Sequence, residues 1–315
     1  MKNGFKEMME TISIINKIPT LESKSDTIHR IWSKEHYPYS RRSLCYANKT
    51  IEGFPTEYKT PKNPEYDDIK ISYTFDENGY RKYPNYISEN NKKIYCFGCS
   101  NTFGTGLPDE YTWPLLLAKN FDNCQFKNFG AGGDSIDGIV RTAWQIISQT
   151  PKDEYPDSIY FLFPDFFRSE YIGNVGEKII ETSILPLTSW TAEEIYIQRE
   201  LWDEKNFHLS PYSKFYSHYK YTSCIHSFFE FIENFKFIDE FLNGRNIKWY
   251  WYSWYNLMFQ LNKKQLLTFF KDNTILCDSG LKIINKDSAR DSRHLGYGYN
   301  KSLANEFYKL TINNI

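Results

Sequence analysis

Three short segments carry the residue types that acyl-transfer chemistry needs, and they lie far apart along the chain. The first is Gly98-Cys99-Ser100-Asn101-Thr102-Phe103-Gly104, directly after an apolar run. A serine placed there sits in a sharp strand-to-helix turn, its hydroxyl exposed and its backbone N–H turned toward any bound anion. The second is Gly130-Ala131-Gly132-Gly133-Asp134-Ser135. Glycines allow positive φ and close backbone approach, so this turn could offer another N–H donor. The third is Asp291-Ser292-Arg293-His294. A three-residue spacing lets the carboxylate curl back and accept from the imidazole, fixing its tautomer.

Together these groups suit nucleophilic catalysis. A serine hydroxyl is a poor nucleophile until a base removes its proton. An imidazole, whose ordinary pKa is about 6.5, can take and return that proton near neutral pH. The charge that develops on the carbonyl oxygen needs fixed donors, and backbone N–H groups at turns supply them without reorganisation. Each segment alone is commonplace. A serine after a strand, a glycine turn and an Asp-x-x-His all occur for structural reasons. The weight lies in their order: Ser at the first strand tip, glycines at the second, Asp and His just before the last helix.

The surrounding pattern predicts the elements that would position them. Ile94 to Phe97 reads as a buried parallel strand, Cys124 to Phe129 as a second and Ile159 to Phe163 as a third, stopped by Pro164. Trp113 to Phe121 reads as a helix with Thr112 at its N-cap and Pro114 in its first turn. Ser135 or Asp134 can cap a helix running to about Ser148. Residues 170–245 read as mostly helical, with helices over about Ala192 to Lys205 and Tyr219 to Leu242. The second has an apolar face at Phe228, Phe231, Ile232, Phe235 and Ile238. Strands resume at Ile247 to Trp254 and near Ile275 to Cys277, and a closing helix starts at Gly298 or Asn300 and runs to Leu310. Strand–helix alternation with short connections implies a mostly parallel sheet between helical layers. In such sheets ligands bind at the carboxyl ends of the strands, where the three segments fall.

Residues 1–90 read differently. Helices are predicted near Lys6 to Lys17 and Ser25 to His36, prolines 55, 61 and 64 break the pattern, and Ile69 to Phe75 is a short strand before an Asp76–Gly79 turn. This region is expected to be an N-terminal extension packed on a main domain spanning residues 91–315, with the stretch at about 170–245 as a helical insertion. That insertion could wall the site or form a dimer interface.

The order of the blocks resembles the SGNH (GDSL) hydrolase family. FGCSNTFG, residues 97–104, is similar to the Ser block, NFGAGGDS, residues 128–135, to the Gly block, and DSRH, residues 291–294, to the D-x-x-H block. LPDEYTWPLLLA, residues 107–118, and YTFDENGYR, residues 73–81, also look like stretches seen in such proteins. The resemblance covers about residues 93–170 and 245–310. It implies a three-layer α/β/α sandwich of flavodoxin-like type and ester hydrolysis through an acyl-enzyme. It also implies Ser100 as nucleophile, His294 as general base and then acid, Asp291 orienting His294, and the N–H groups of Ser100 and Gly133 in the oxyanion hole. Two positions depart from the pattern. Cys99 stands where the family often has Asp. Pro164, which has no N–H or amide to give, stands where the third block has its oxyanion-donating Asn. Asn101 and Arg168 are the candidate substitutes. The same triad would also serve an acyltransferase, and the Pro164 departure fits a catalytically degenerate binding or structural protein.

Composition bounds the rest. The chain has 315 residues, 38 Lys plus Arg against 39 Asp plus Glu, and a net charge of -1. That balance leaves no electrostatic footprint for general nucleic-acid binding. No apolar run reaches the length of a membrane-spanning helix, and the acidic N-terminal stretch does not read as a signal peptide, so a soluble, cytoplasmic protein is expected. Six cysteines in a chain of this length do not suggest a disulfide framework. The lone CxxC, Cys96 to Cys99, has no second pair and no histidine at ligand spacing, so these are read as ordinary buried or site-lining thiols. His208, His218 and His226 are too widely spaced for a metal site on one helix. No HExxH or phosphate-loop motif is present, and GAGGDS lacks the spacing to bind NAD. No metal or cofactor is expected. The run Trp249-Tyr250-Trp251-Tyr252-Ser253-Trp254-Tyr255 should supply core on at least one face of a strand. Trp254 or Tyr255 at its tip could stack on a sugar, hence a preference for a glycan ester over other small-molecule esters.

Overall fold

The computed structural model describes residues 48–52, 71–164, 169–174, 182–187, 224–253, 287–290 and 294–313, with backbone alone for 169–174, 182–187 and 224–229. Strands β1 (Thr50–Glu52), β2 (Ser72–Phe75) and β3 (Arg81–Lys82) form a small antiparallel sheet in that order. The Asp76–Gly79 turn joins β2 to β3. Its Asp76 carboxylate accepts from the N–H groups of Asn78 and Tyr80, both at 2.9 Å, and Gly79 takes a φ of 75°. The chain then enters β4 (Lys93–Gly98), α1 (Ser100–Phe103), α2 (Trp113–Asn120), β5 (Gln125–Gly130), α3 (Ile136–Gln149) and β6 (Ser158–Phe163). Next come β7 (Ser169–Asn174), β8 (Thr182–Leu187), α4 (Cys224–Asn243), β9 (Lys248–Ser253) and α5 (Tyr297–Ile312).

The central sheet is parallel throughout, in the order β5-β4-β6-β9. The chain builds β5 on one side of β4 and then crosses to build β6 on the other. This is the flavodoxin-like winding, and its switch point lies between β4 and β6. Helices cover both faces, giving the three-layer α/β/α sandwich. Phe97, Phe129, Phe161, Phe163, Trp249 and Trp251 share one face, where Phe231 and Phe235 of α4 meet them. Tyr160, Tyr250 and Tyr252 share the other, against Phe307 of α5. The strands read as continuous apolar runs because both of their faces are buried.

The aromatic run of β9 shows the same logic. Trp249, Tyr250, Trp251 and Tyr252 are all buried, so both of its faces are core. Trp254 and Tyr255, the residues considered for stacking, lie outside the described residues. The apolar face foreseen for α4 is borne out at Phe231, Ile232, Phe235 and Ile238. One expectation is corrected. Within the stretch read as helical, β7 and β8 form an antiparallel hairpin. Its segments are short, and Gly173 and Pro186 within them disfavour a helix. The helices predicted near residues 6–17, 25–36 and 192–205 and the strand near 275–277 lie outside the described residues, as do His208 and His218.

Among the described residues, no helix is long and apolar enough to cross a membrane, and no cluster of His, Cys, Asp and Glu could hold a metal ion. Cys96, Cys99 and Cys124 are buried free thiols. Burial pushes Cys96 well up and Cys124 up to about 12, the opposite of what a reactive thiolate needs.

Candidate active site

Ser100 is the first residue of α1, at the carboxyl end of β4 and beside the switch point. It is half-buried, unlike the buried Asn101, Thr102 and Phe103 that follow it. The first N–H groups of such a turn have no partner inside it. Two glycines let this turn sit directly on the strand tips. A Cβ on Gly98 would lie 2.0 Å from Thr102 Oγ1, and one on Gly130 would lie 2.2 Å from the Phe103 backbone nitrogen. Beneath it, the buried Asn128 amide donates to the Thr102 carbonyl at 2.8 Å and to the Tyr83 hydroxyl at 2.7 Å.

The glycine turn follows β5. The Ala131 N–H donates to the Gly98 carbonyl at 3.0 Å, which extends the β4–β5 pairing to the edge of the site. Gly133 has a φ of 72°, the left-handed region that glycine tolerates best. Ser135 caps α3, accepting from the Gly138 N–H at 3.2 Å, and the buried Asp134 accepts from the Ser135 N–H at 2.9 Å.

His294 precedes α5 and is half-buried. Its carbonyl accepts from the Ala289 N–H at 2.9 Å, and its neighbour Leu295 bridges to Ser288. This loop docks on the segment that follows Ser100. The Arg290 N–H donates to the Gly106 carbonyl at 3.1 Å, and the Leu295 N–H donates to Asn101 Oδ1 at 3.3 Å. The residue after Ser100 and the residue after His294 are therefore hydrogen-bonded to each other. Asn101, a candidate oxyanion donor, is buried and its carbonyl oxygen is engaged by the histidine loop.

Two residues set this loop in roles that the sequence does not show. The Asp287 carboxylate caps α5, accepting from the N–H groups of Gly298 at 2.6 Å and Tyr299 at 3.1 Å. Asn300 accepts from the Trp113 N–H at 3.0 Å and donates to the carbonyls of Leu295 and Gly296. It thereby does for α2 what Thr112 was expected to do. Thr112 occupies the N-cap position, but its hydroxyl donates to the Asp109 carbonyl and is hydrogen-bonded with the Tyr83 hydroxyl. An Asp or Asn is a familiar cap by type, but one acting across 187 residues leaves no local signal.

At the third strand tip, the buried Pro164 follows β6 directly, so the position offers no donor. Ser253, ending β9, donates to the Pro164 carbonyl at 3.5 Å. Asp291, Arg168 and Trp254 lie outside the described residues.

Burial raises the Tyr83 phenol to about 12, against smaller lowering from Arg81 and from the hydrogen bonds of Thr112 and Asn128. The native state therefore resists forming the phenolate. Its contribution to stability is intact below pH 10 and declines as pH rises toward 12, because the unfolded chain ionises first. The loss is about 2–3 kcal/mol across that window. Urea unfolding at pH 9 and pH 11 should show Tyr83→Phe losing less stability than wild type over the interval. Parallel losses contradict the assignment.

No family model matches the chain, and no curated protein does. Solved structures do. AlinE4, an SGNH-hydrolase family esterase, aligns at 18% identity over 24% of this chain and 42% of its own, with a TM-score of 0.21. The chain thus spans under half the length of that esterase. A lipolytic protein of the G-D-S-L family from Veillonella parvula DSM 2008 aligns at 14% identity over 69% of this chain and 97% of its own, TM-score 0.31. A G-D-S-L family chain from Desulfitobacterium hafniense DCB-2 aligns at 10% identity over 70% and 99%, TM-score 0.29. Likenesses this distant carry no argument about activity, and the fold rests on the strand order and layers above.

Proposed function

We propose that the chain is a serine esterase of SGNH type acting on a carboxylic ester, with an O-acetyl or other acyl ester of a glycan as the preferred class. The observation that carries this reading is the hydrogen bond from Leu295 N–H to Asn101 Oδ1. It joins the residue after Ser100 to the residue after His294, 194 positions apart in the chain.

In this reading His294 takes the Ser100 proton as Oγ attacks the ester carbonyl. The N–H groups of Ser100 and Gly133 meet the negative charge on the carbonyl oxygen. The tetrahedral intermediate collapses, the C–O bond to the alcohol breaks, and His294 returns the proton to the leaving oxygen. Water, deprotonated by the same imidazole, then cleaves the acyl-enzyme. Asp291 would orient the imidazole throughout. Hydrolysis of an activated acetyl ester by His294→Ala should fall by about 10³-fold or more. An unchanged rate removes His294 from the mechanism.

Pro164 favours a second reading, a chain that keeps the fold and binds without turning over. Losing one oxyanion donor typically costs about 10²–10³ in rate. The esterase reading therefore expects slow turnover, whereas the second expects none above the S100A background. An acyltransferase would differ only in what reaches the acyl-enzyme, and products formed with and without a sugar acceptor separate it from the esterase.

A further inference from the structure

The turn that carries Ser100 is held from behind by one arginine. Arg81 lies on β3, with a fully buried side chain, and all five of its guanidinium N–H groups are used. Nη1 donates to the carbonyls of Phe103 and Gly104, each at 2.8 Å. Nη2 donates to the Leu107 carbonyl and to Asp109 Oδ1, both at 2.8 Å, and Nε donates to the same Oδ1 at 3.1 Å. Tyr73 lies under the guanidinium, 4.6 Å from ring centroid to Cζ, and its hydroxyl accepts from the Gly106 N–H at 2.8 Å.

Two of the carbonyls that Arg81 binds, those of Phe103 and the C-cap Gly104, end α1. A four-residue helix has almost no internal hydrogen bonding to hold its direction, and its last carbonyls need outside partners. A cation there satisfies them and complements the negative end of the turn. The opposite end of the same turn is Ser100. Tilting α1 about its carboxyl end moves the Ser100 hydroxyl and N–H together, and it disturbs Asn101, which carries the bond to the His294 loop.

We infer that Arg81 is a positioning residue for the nucleophile: its fork fixes α1 so that the Ser100 hydroxyl and N–H stay aligned with His294. The inference rests on the esterase reading. It does not place Arg81 in contact with substrate.

The test separates kcat from KM on an activated acetyl ester, at a temperature where near-UV circular dichroism shows each variant native. Arg81→Lys keeps a cation and loses the fork. Its kcat should fall about 10- to 100-fold with KM little changed, because small misplacements of a reacting group are that costly. Asp109→Asn loosens the fork and leaves the three carbonyl contacts, so a severalfold lower kcat is expected, and it keeps the question open to refutation if Arg81→Lys does not fold. A purely structural arginine predicts lower Tm with wild-type kcat in the folded variants, and that result overturns the inference while the esterase reading stands. A folded wild-type chain without turnover overturns both before any variant is compared.

Discussion

Ser100→Ala is expected to lower ester hydrolysis by about 10⁴- to 10⁶-fold while leaving the fold as stable as wild type. The two halves of that expectation have different origins. The activity loss follows from the proposed chemistry, in which the Ser100 oxygen is acylated and alanine has no oxygen to take its place. The stability follows from the surroundings. Ser100 is only half-buried and opens a helical turn, where alanine is well tolerated. The hydrogen bonds that hold the turn involve its backbone: the N–H groups of Gly104 and Thr105 both donate to the Ser100 carbonyl. They survive the substitution. Hydrolysis and thermal unfolding measured on the same preparation check both halves. A rate equal to wild type removes Ser100 as the nucleophile, and a large drop in Tm would show instead that the hydroxyl is structural.

Gly130→Ala should have the largest effect on the fold. The added methyl would sit 2.2 Å from the Phe103 nitrogen, 2.6 Å from the Thr102 carbonyl carbon and 2.8 Å from the Phe103 Cα. All three are backbone atoms, so no side-chain rotation relieves the overlap. Either α1 lifts off β5 or the β4–β5 pairing yields. A cost of about 3 kcal/mol or more is expected, at the upper end of overpacking effects, together with loss of activity as Ser100 moves. Gly132→Ala is the matched control. No atom lies within 4 Å of a Cβ built there, so its stability should stay within about 0.5 kcal/mol of wild type. Urea unfolding of the two variants side by side decides it. Equal stabilities would mean that the contact between α1 and the strand tip is softer than the geometry states.

Much of the frame is legible in the sequence because it is written in local pattern. β4, β5 and β6 are short apolar runs closed by Gly98, Gly130 and Pro164, and the turn residues mark their ends within a residue or so. Ser135 is legible as a cap because its partner is three residues away. The β7–β8 hairpin was not, since short apolar stretches between polar ones suit either period. Nor were the long-range clasps. Arg81 ends the YTFDENGYR stretch, and only folding brings it to carbonyls 22 to 26 residues ahead. Asn300 and Asp287 act across the chain in the same way. The candidate site residues are proposed from type and order, and the structure adds what holds two of their segments together.

The account turns on whether one oxygen in this protein is made nucleophilic by its neighbours. Treatment of the folded wild-type chain with a fluorophosphonate, followed by peptide mass mapping, reads this out without any assumption about the natural ester. A single adduct on the Ser100 peptide, absent from Ser100→Ala, is the predicted result. A native chain that takes up no label, or carries it on another residue, contradicts the account.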